Sequence, residues 1–533
     1  MIPGLFAGGV GQYGIDTGDI ANSLRFRGAA SAYLTWTPSS NGDSTKITMS
    51  AWVKRGKLGS AQGILSAGSA SNNATDIYFD AGDKIVISHV VSGGSQGSIA
   101  TTAIFRDPSA HLHVVAVIDL SLGSSKFKIY VNGVQQSVTE STAITTTSTF
   151  FCNTTYSNRF GYSWLNNTYL DGYLSRVCFV DGQALTPSSF GYLNTTTNEW
   201  VSKTQSEAKA VVDAGGANSF MLDFDDVTSL TTLGYDKSSK GNNWTLNNFS
   251  LTAGVTYDHM LDGPGNSYAT LNPLNSYPGL LSEGNLKATA PGATWYSGAA
   301  TQAVNSGKWY WEVQPATSGV FMSGISPTSQ SLLPAGVFPG SAALGWGYYA
   351  STGQKFNNGA ATAYGATYTS GDVIGVALDM DAGTLTFYKN NVSQGTAATG
   401  LSGYYTPAIG TYNPGEYGHI NAGQRPFAYT PPTGFLALCQ ANLPDNGTVT
   451  VSGTFTGNGA DDGPFVWING VPKTLTINSN GVTFGTHADK TAGGFKLRTS
   501  SASYNTAGSN TWTATIDTNI QNIFKWNNAE GNP

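Results

Sequence analysis

Apolar positions in this chain recur in short runs broken by turn residues. In Lys46-Ile47-Thr48-Met49-Ser50-Ala51-Trp52-Val53-Lys54, the side chains of Ile47, Met49, Ala51 and Val53 fall on one face. Thr48, Ser50 and Trp52 fall on the other, the period of two that marks a strand. The continuous run His113 to Ile118 predicts a strand buried on both faces. Phe127 to Val131 leads into Asn132-Gly133, a pair that tolerates positive φ and predicts a two-residue hairpin. The same device returns at Leu385 to Lys389 before Asn390-Asn391, and at Phe465 to Ile468 before Asn469-Gly470. These signals lie far beyond the 20–50-residue period of a solenoid. They predict an all-β chain of tandem antiparallel β-sandwiches, with one short helix around Glu207 to Val212.

Turn-rich stretches set the expected boundaries. Residues 1–20 form an apolar, Gly-rich arm, and residues 21–260 a first sandwich that includes Phe220 to Phe224. Residues 261–430 form a second, after Asp262-Gly263-Pro264-Gly265-Asn266. Tyr429-Thr430-Pro431-Pro432-Thr433-Gly434 reads as a hinge, and residues 431–533 as a smaller β-domain.

Composition narrows the class. Only 11% of the 533 residues are charged, while 66 are Gly, 40% are hydrophobic and 12% aromatic. Ordinary domains carry roughly 25% charged residues, so coiled coils and long exposed helices are excluded, and core material is too plentiful for disorder. The net charge of −6 offers no basic stripe for nucleic acid. No run of 18 apolar residues predicts a membrane helix. The first residues lack the basic segment and apolar core of a signal peptide. Cys152, Cys178 and Cys439, odd in number and widely spaced, suit buried thiols better than disulfides or zinc. An exposed-type β-protein without export signal or disulfides predicts a virion protein, assembled in a host cytoplasm.

Two resemblances enter here. Ser23 to Phe26, Ala51 to Arg55, Phe105 to Pro108, Ile129 to Gly133, Asp171 to Leu174 and Phe179 to Gln183 resemble the laminin-G/concanavalin-like jelly rolls of phage virion proteins. Gly234 to Asp236 and Gly241 to Trp244 extend the likeness. Gly307 to Val313, Leu344 to Tyr348, Gly371 to Val376, Leu378-Asp379, Gly383 to Leu385 and Phe387 to Asn390 resemble a SPRY domain. That likeness implies a second two-sheet sandwich acting in recognition, not catalysis. The pairing resembles tail-fibre proteins, which as a rule are homo-oligomers, often trimers. The last hundred residues resemble no known motif.

Catalytic motifs are wanting. No Glu-x-Asp-x-x-Glu strand of a concanavalin-like glucanase occurs, and no Gly-x-Ser-x-Gly elbow in an α/β setting. Glu312, in the SPRY opening strand, reads as structural. His111 and His113 alternate on one strand without a third ligand and read as an edge-strand pair rather than a metal site. Asp223, Asp225 and Asp226, and Asp461 and Asp462, are weak calcium candidates, since calcium needs six to eight oxygens. Asp379 and Asp381 suit the SPRY hairpin. No other cofactor is expected. Glycan binding is the stronger reading, because sugars stack apolar faces on aromatic rings beside amide partners. Tyr156, Asn158, Tyr162, Trp164, Asn166 and Asn167 form one such stretch, and Tyr348, Tyr349, Asn357, Asn358 and Tyr364 a second. In the arm, Ile2, Leu5, Phe6 and Val10 are candidates for docking to other virion proteins.

The sequence therefore predicts a non-enzymatic tail-fibre or spike subunit that recognises host-surface glycans. The alternatives are a head-decoration or tail-connector protein and, further off, a polysaccharide depolymerase.

Overall fold

The structure is a computed structural model. It describes residues 20–43, 45–144, 150–194, 199–316, 319–443, 448–460, 463–468, 471–477, 480–482, 488–491, 494–497 and 505–517. The docking candidates Ile2, Leu5, Phe6 and Val10, and the calcium candidates Asp461 and Asp462, lie outside these residues.

The strands of the first sandwich are β1 (Ser23–Phe26), β2 (Tyr33–Trp36), β3 (Lys46–Arg55), β4 (Gln62–Ala70), β5 (Asn73–Phe79), β6 (Ile85–Val91), β7 (Gly94–Thr101), β8 (His111–Asp119), β9 (Phe127–Val131), β10 (Val134–Gln135), β11 (Val138–Thr142), β12 (Ser157–Phe160), β13 (Tyr162–Ser163), β14 (Thr168–Tyr169) and β15 (Gly172–Asp181). One sheet runs β10-β9-β8-β3-β15-β1 and ends on His259–Met260. The other runs β11-β7-β6-β5-β4-β12-β2 and ends on Thr245–Asn247. Ile47, Met49, Ala51 and Val53 point into the core between them, as their alternation predicts, against Leu34, Leu65, Ile77 and Phe160.

The first sheet is covered on its outer side too. The helix α1 (Gln205–Asp213), capped reciprocally by Thr204 and Glu207, packs Ala208 and Val212 against Val115, Val117, Cys178 and Val180. Trp52 is buried as well, and the reading of His111 and His113 as an edge pair is corrected. β8 lies between β9 and β3, and both imidazoles are fully buried. His113 is stacked on Trp52 and bonds Ser50 through Nε2 at 2.8 Å. Its Nδ1 accepts from the Trp200 indole at 2.8 Å, and burial holds its pKa down at about 3.

The second sandwich opposes a seven-stranded sheet, centred on Phe321–Pro327 and Tyr405–Thr411, to one centred on Lys308–Pro315 and Ile374–Asp379. Trp309, Trp311, Val376, Phe387 and Ile409 fill its core. The strand Leu436–Ala437 pairs in parallel with Lys308–Pro315, so this sandwich takes in chain beyond the Pro431-Pro432 hinge. The last region forms a sheet of four strands and one of three around Phe455, Ile477, Phe495 and Trp512. All three cysteines are free and buried.

Two of the three expected hairpins form. Asn132 and Gly133 take φ of 49° and 83°, and Asn390 and Asn391 take 46° and 67°. The third does not. Phe465–Trp467 pairs with Gly494–Leu497, whereas Val471–Ile477 belongs to the other sheet, beside Gly508–Asp517. The turn residues themselves, Asn469 and Gly470, lie outside the described residues; Phe465 and Trp467 also pack on Leu274, Ala299 and Ala408 of the second sandwich.

The two large sandwiches meet through a polar, buried seam. Lys54 and Asp262 pair at 2.6 Å with both side chains inaccessible to solvent. The Tyr173 hydroxyl donates to the Gly284 carbonyl at 2.6 Å, and the Asp171 carboxylate accepts the Glu283 and Gly284 N–H groups.

Candidate functional site

Along β2, β4, β5 and β12 the inward positions are the core residues named above. Tyr33, Thr35, Ser66, Asp76, Tyr78 and Arg159 therefore face outward. Over this outer surface folds the β13–β14 hairpin, Tyr162 to Tyr169, whose backbone follows β4 closely. The Gly161 N–H donates to the Ile64 carbonyl at 3.0 Å, and the Trp164 N–H to Ser66 Oγ at 3.0 Å. Asp76 anchors it from beneath. Its carboxylate accepts the Ser163 hydroxyl at 2.6 Å, the Leu165 N–H at 3.0 Å and the Ser66 hydroxyl. Burial outweighs those donors and raises the Asp76 pKa to about 6.

The hairpin brings rings around one cation. The Arg159 guanidinium lies 4.2 Å from the Trp164 ring centroid and 4.9 Å from those of Tyr33 and Tyr162. Tyr169 closes the group, 4.9 Å from Tyr162 and 6.1 Å from Tyr33. Tyr33, Arg159, Trp164 and Tyr169 are half-buried, and Tyr162 is buried beneath them. Among the described residues, Arg159 has no carboxylate partner. At the tip, Asn166 and Asn167 are exposed. Asn166 donates through its N–H and Nδ2 to Ser163 Oγ at 3.1 and 2.9 Å, and Asn167 accepts the Tyr162 hydroxyl at 2.9 Å. The result is a rigid platform of ring faces and a planar cation, rimmed by amides.

Of the six first-sandwich candidates, Tyr162, Trp164, Asn166 and Asn167 come together here. Asn158 does not: it is buried on the inner face of β12, its Nδ2 donating to the Tyr156 carbonyl at 3.1 Å. Tyr156 is exposed but packs on Phe151, away from the hairpin contacts. Tyr33, Arg159 and Tyr169 are additions. Arg159 sits between Tyr156 and Tyr162 in sequence, a cation among aromatics, which was the available signal; Tyr33 arrives only through the β2–β12 pairing.

The second stretch separates. Tyr348 is fully buried in the core, its hydroxyl donating to the Ala366 carbonyl, and Tyr364 donates to the Gly395 carbonyl at 2.5 Å. Asn357 spends Nδ2 on the Ala343 and Gly345 carbonyls, and Asn358 holds a turn at φ 51°. Tyr349 lies in a half-buried aromatic group with Trp295 and Phe356, and Asn358 is exposed. Strand alternation divides Tyr348 from Tyr349, so this stretch is not one surface.

The calcium candidates among the described residues are occupied by cations and donors of the chain itself. Arg176 grips Asp223 through Nε and Nη2 at 2.6 and 3.1 Å, and Lys237 holds Asp225 at 2.6 Å. Asp226 accepts the Thr228 N–H and hydroxyl. Asp379 pairs with Lys308, and Asp381 accepts the Gly307 N–H. Among the described residues no group of three or more His, Cys, Asp or Glu is placed to hold a metal. Glu312 accepts the Ala428 and Tyr429 N–H groups, each at 2.9 Å.

Comparison with known proteins agrees with this architecture. Residues 27–190, which contain the whole platform, match the concanavalin A-like lectin/glucanases superfamily, and residues 308–425 match the SPRY domain. The chain is 35% identical over 161 residues to an E3 ubiquitin-protein ligase, RKP, of Arabidopsis thaliana, covering 28% of this chain and 12% of that protein. It is 38% identical over 85 residues to Ran-binding protein 10 of Danio rerio, covering 16% and 14%. The chain thus spans about an eighth of the length of these relatives. Among solved structures, the SPRY domain of human HERC1 is similar, with 24% identity, a TM-score of 0.25, and coverage of 28% of this chain and 96% of that one. A concanavalin-like sandwich followed by a SPRY domain is the architecture of this chain.

Proposed function

We propose that this chain is a non-enzymatic adhesion protein of a bacteriophage virion, a tail-fibre or spike subunit, that binds host-surface glycans on the first sandwich. One observation carries the glycan reading: Arg159 lies over the rings of Tyr33, Tyr162 and Trp164, and among the described residues no carboxylate neutralises it. A guanidinium so placed offers hydrogen-bond donors to ring hydroxyls or a sugar acid, while the adjoining rings take the apolar C–H face. Binding suits this surface better than bond cleavage. Its carboxylate, Asp76, is buried beneath the hairpin and committed to three donors. The virion setting rests on the pairing of the two modules and on the uncharged composition.

The test is adsorption of purified protein to an array of bacterial surface polysaccharides and to host cells. Capture of a polysaccharide is expected. Arg159→Ala and Trp164→Ala are each expected to weaken it by about tenfold, the equivalent of about 1.4 kcal/mol, within the range of a desolvated cation–π pair. Absence of binding to every polysaccharide, with no competition against phage adsorption, defeats the adhesive reading. Antibody labelling of the virion tests the setting, and label on the head would favour the decoration alternative.

A further inference from the structure

The platform does not end at the hairpin. Tyr169, which closes the aromatic group, also lines a cleft of about 720 Å³ between the two large sandwiches, where the C-terminal domain contributes Lys496. Sites for small ligands run from about 300 to 1,000 Å³. The first sandwich supplies Ser60, Gln62 and Tyr169 to the wall, and the second supplies Tyr277, Leu281 and Ser282. This mixture of ring faces, an aliphatic side chain, hydroxyls and an amide is the chemistry of the platform again.

The carboxylates of the cleft are already satisfied. Asp83 accepts Arg55 at 2.9 Å, Arg106 at 2.7 Å and the Gly59 N–H at 2.8 Å. Asp171 is taken by the seam, so neither carboxylate leaves a cation-seeking charge. Beside Tyr169, the buried Thr168 hydroxyl finds no hydrogen-bond partner among the described residues. Because both walls belong to domains locked by the buried Lys54–Asp262 pair, the cleft is a fixed groove rather than a gap between loosely tethered modules.

We infer that platform and cleft form one groove, and that the protein holds an internal segment of an extended polysaccharide rather than a terminal sugar. This rests on the glycan reading above and specifies its ligand. Consecutive sugar rings would stack from Trp164 across Tyr169 to Tyr277.

The test uses a size ladder, from disaccharide to decasaccharide, cut by partial acid hydrolysis from the polysaccharide captured on the array, with affinity measured calorimetrically. Wild-type affinity is expected to rise at least tenfold between the shortest and longest members. Ser60→Trp, which fills the cleft, and Tyr277→Ala, which removes one wall, are expected to abolish that rise. Arg159→Ala is expected to weaken every member. If both cleft variants, with unchanged melting temperatures, bind long chains as tightly as wild type while Arg159→Ala still weakens them, the groove is wrong and the platform stands. If Arg159→Ala changes nothing, the platform reading itself falls, and the groove with it.

Discussion

Asp76 sets the position of the hairpin, and its chemistry makes that position sensitive to pH. Burial lifts its pKa from 3.8 to about 6, so the folded chain holds this proton more tightly than the unfolded chain. Stability from that proton is fully present below pH 3.8 and is lost as pH rises through about 6. Asp76→Asn removes the charge and keeps the shape. Melting temperatures measured from pH 3.5 to 7.5 are expected to fall less across this window in the variant than in wild type; parallel curves would remove Asp76 as the cause. At this scale the sequence was partly legible. Rings and amides marked the stretch from Tyr156 to Asn167, but Asn158 turned inward and Arg159, one position on, turned outward. Tyr348 and Tyr349 divide in the same way. A stretch rich in aromatics states composition, whereas the face each ring occupies depends on strand phase.

Hairpins were the most legible elements, because two Asn/Gly positions at positive φ determine a turn locally. Asn469-Gly470 misled because its flanking strands were drawn into different sheets by partners elsewhere. The β13–β14 hairpin was visible only as a polar, aromatic loop; its seat on the outer sheet depends on a close approach the sequence does not display. A Cβ on Gly63 would overlap the carbonyl carbon and oxygen of Tyr162. Gly63→Ala must push the hairpin away. A loss of about 1–3 kcal/mol in urea unfolding is expected, the usual cost of overpacking, together with weakened polysaccharide adsorption. Loss of stability with adsorption intact would show that the platform does not depend on this seat.

Across the whole molecule, the all-β class and the two sandwich types followed from pattern and resemblance, but the manner of their joining did not. Lys54 looked like the polar end of a strand, and Asp262 like part of a turn. Each is completely buried against the other. Breaking such a pair leaves one charge stranded, so Lys54→Met is expected to cost about 3–5 kcal/mol in urea unfolding. Lys54→Met/Asp262→Leu is expected to recover most of it, because two apolar side chains carry no unmet charge. Equal losses in single and double variants would mean that the seam depends on shape rather than charge.

The first sandwich is also entered and left at one place. β1 and His259–Met260 are antiparallel neighbours, with Ser23 opposite Met260 and Leu24 opposite His259, and Asp258 takes both Arg25 and Arg27. Mechanically, everything from Arg27 to Asp258 hangs beside the line along which tension would run from residue 20 into the second sandwich. Pulled that way, the two strands peel apart one rung at a time instead of sliding past each other, and the Arg25–Asp258–Arg27 clasp is the rivet at the base of that zipper.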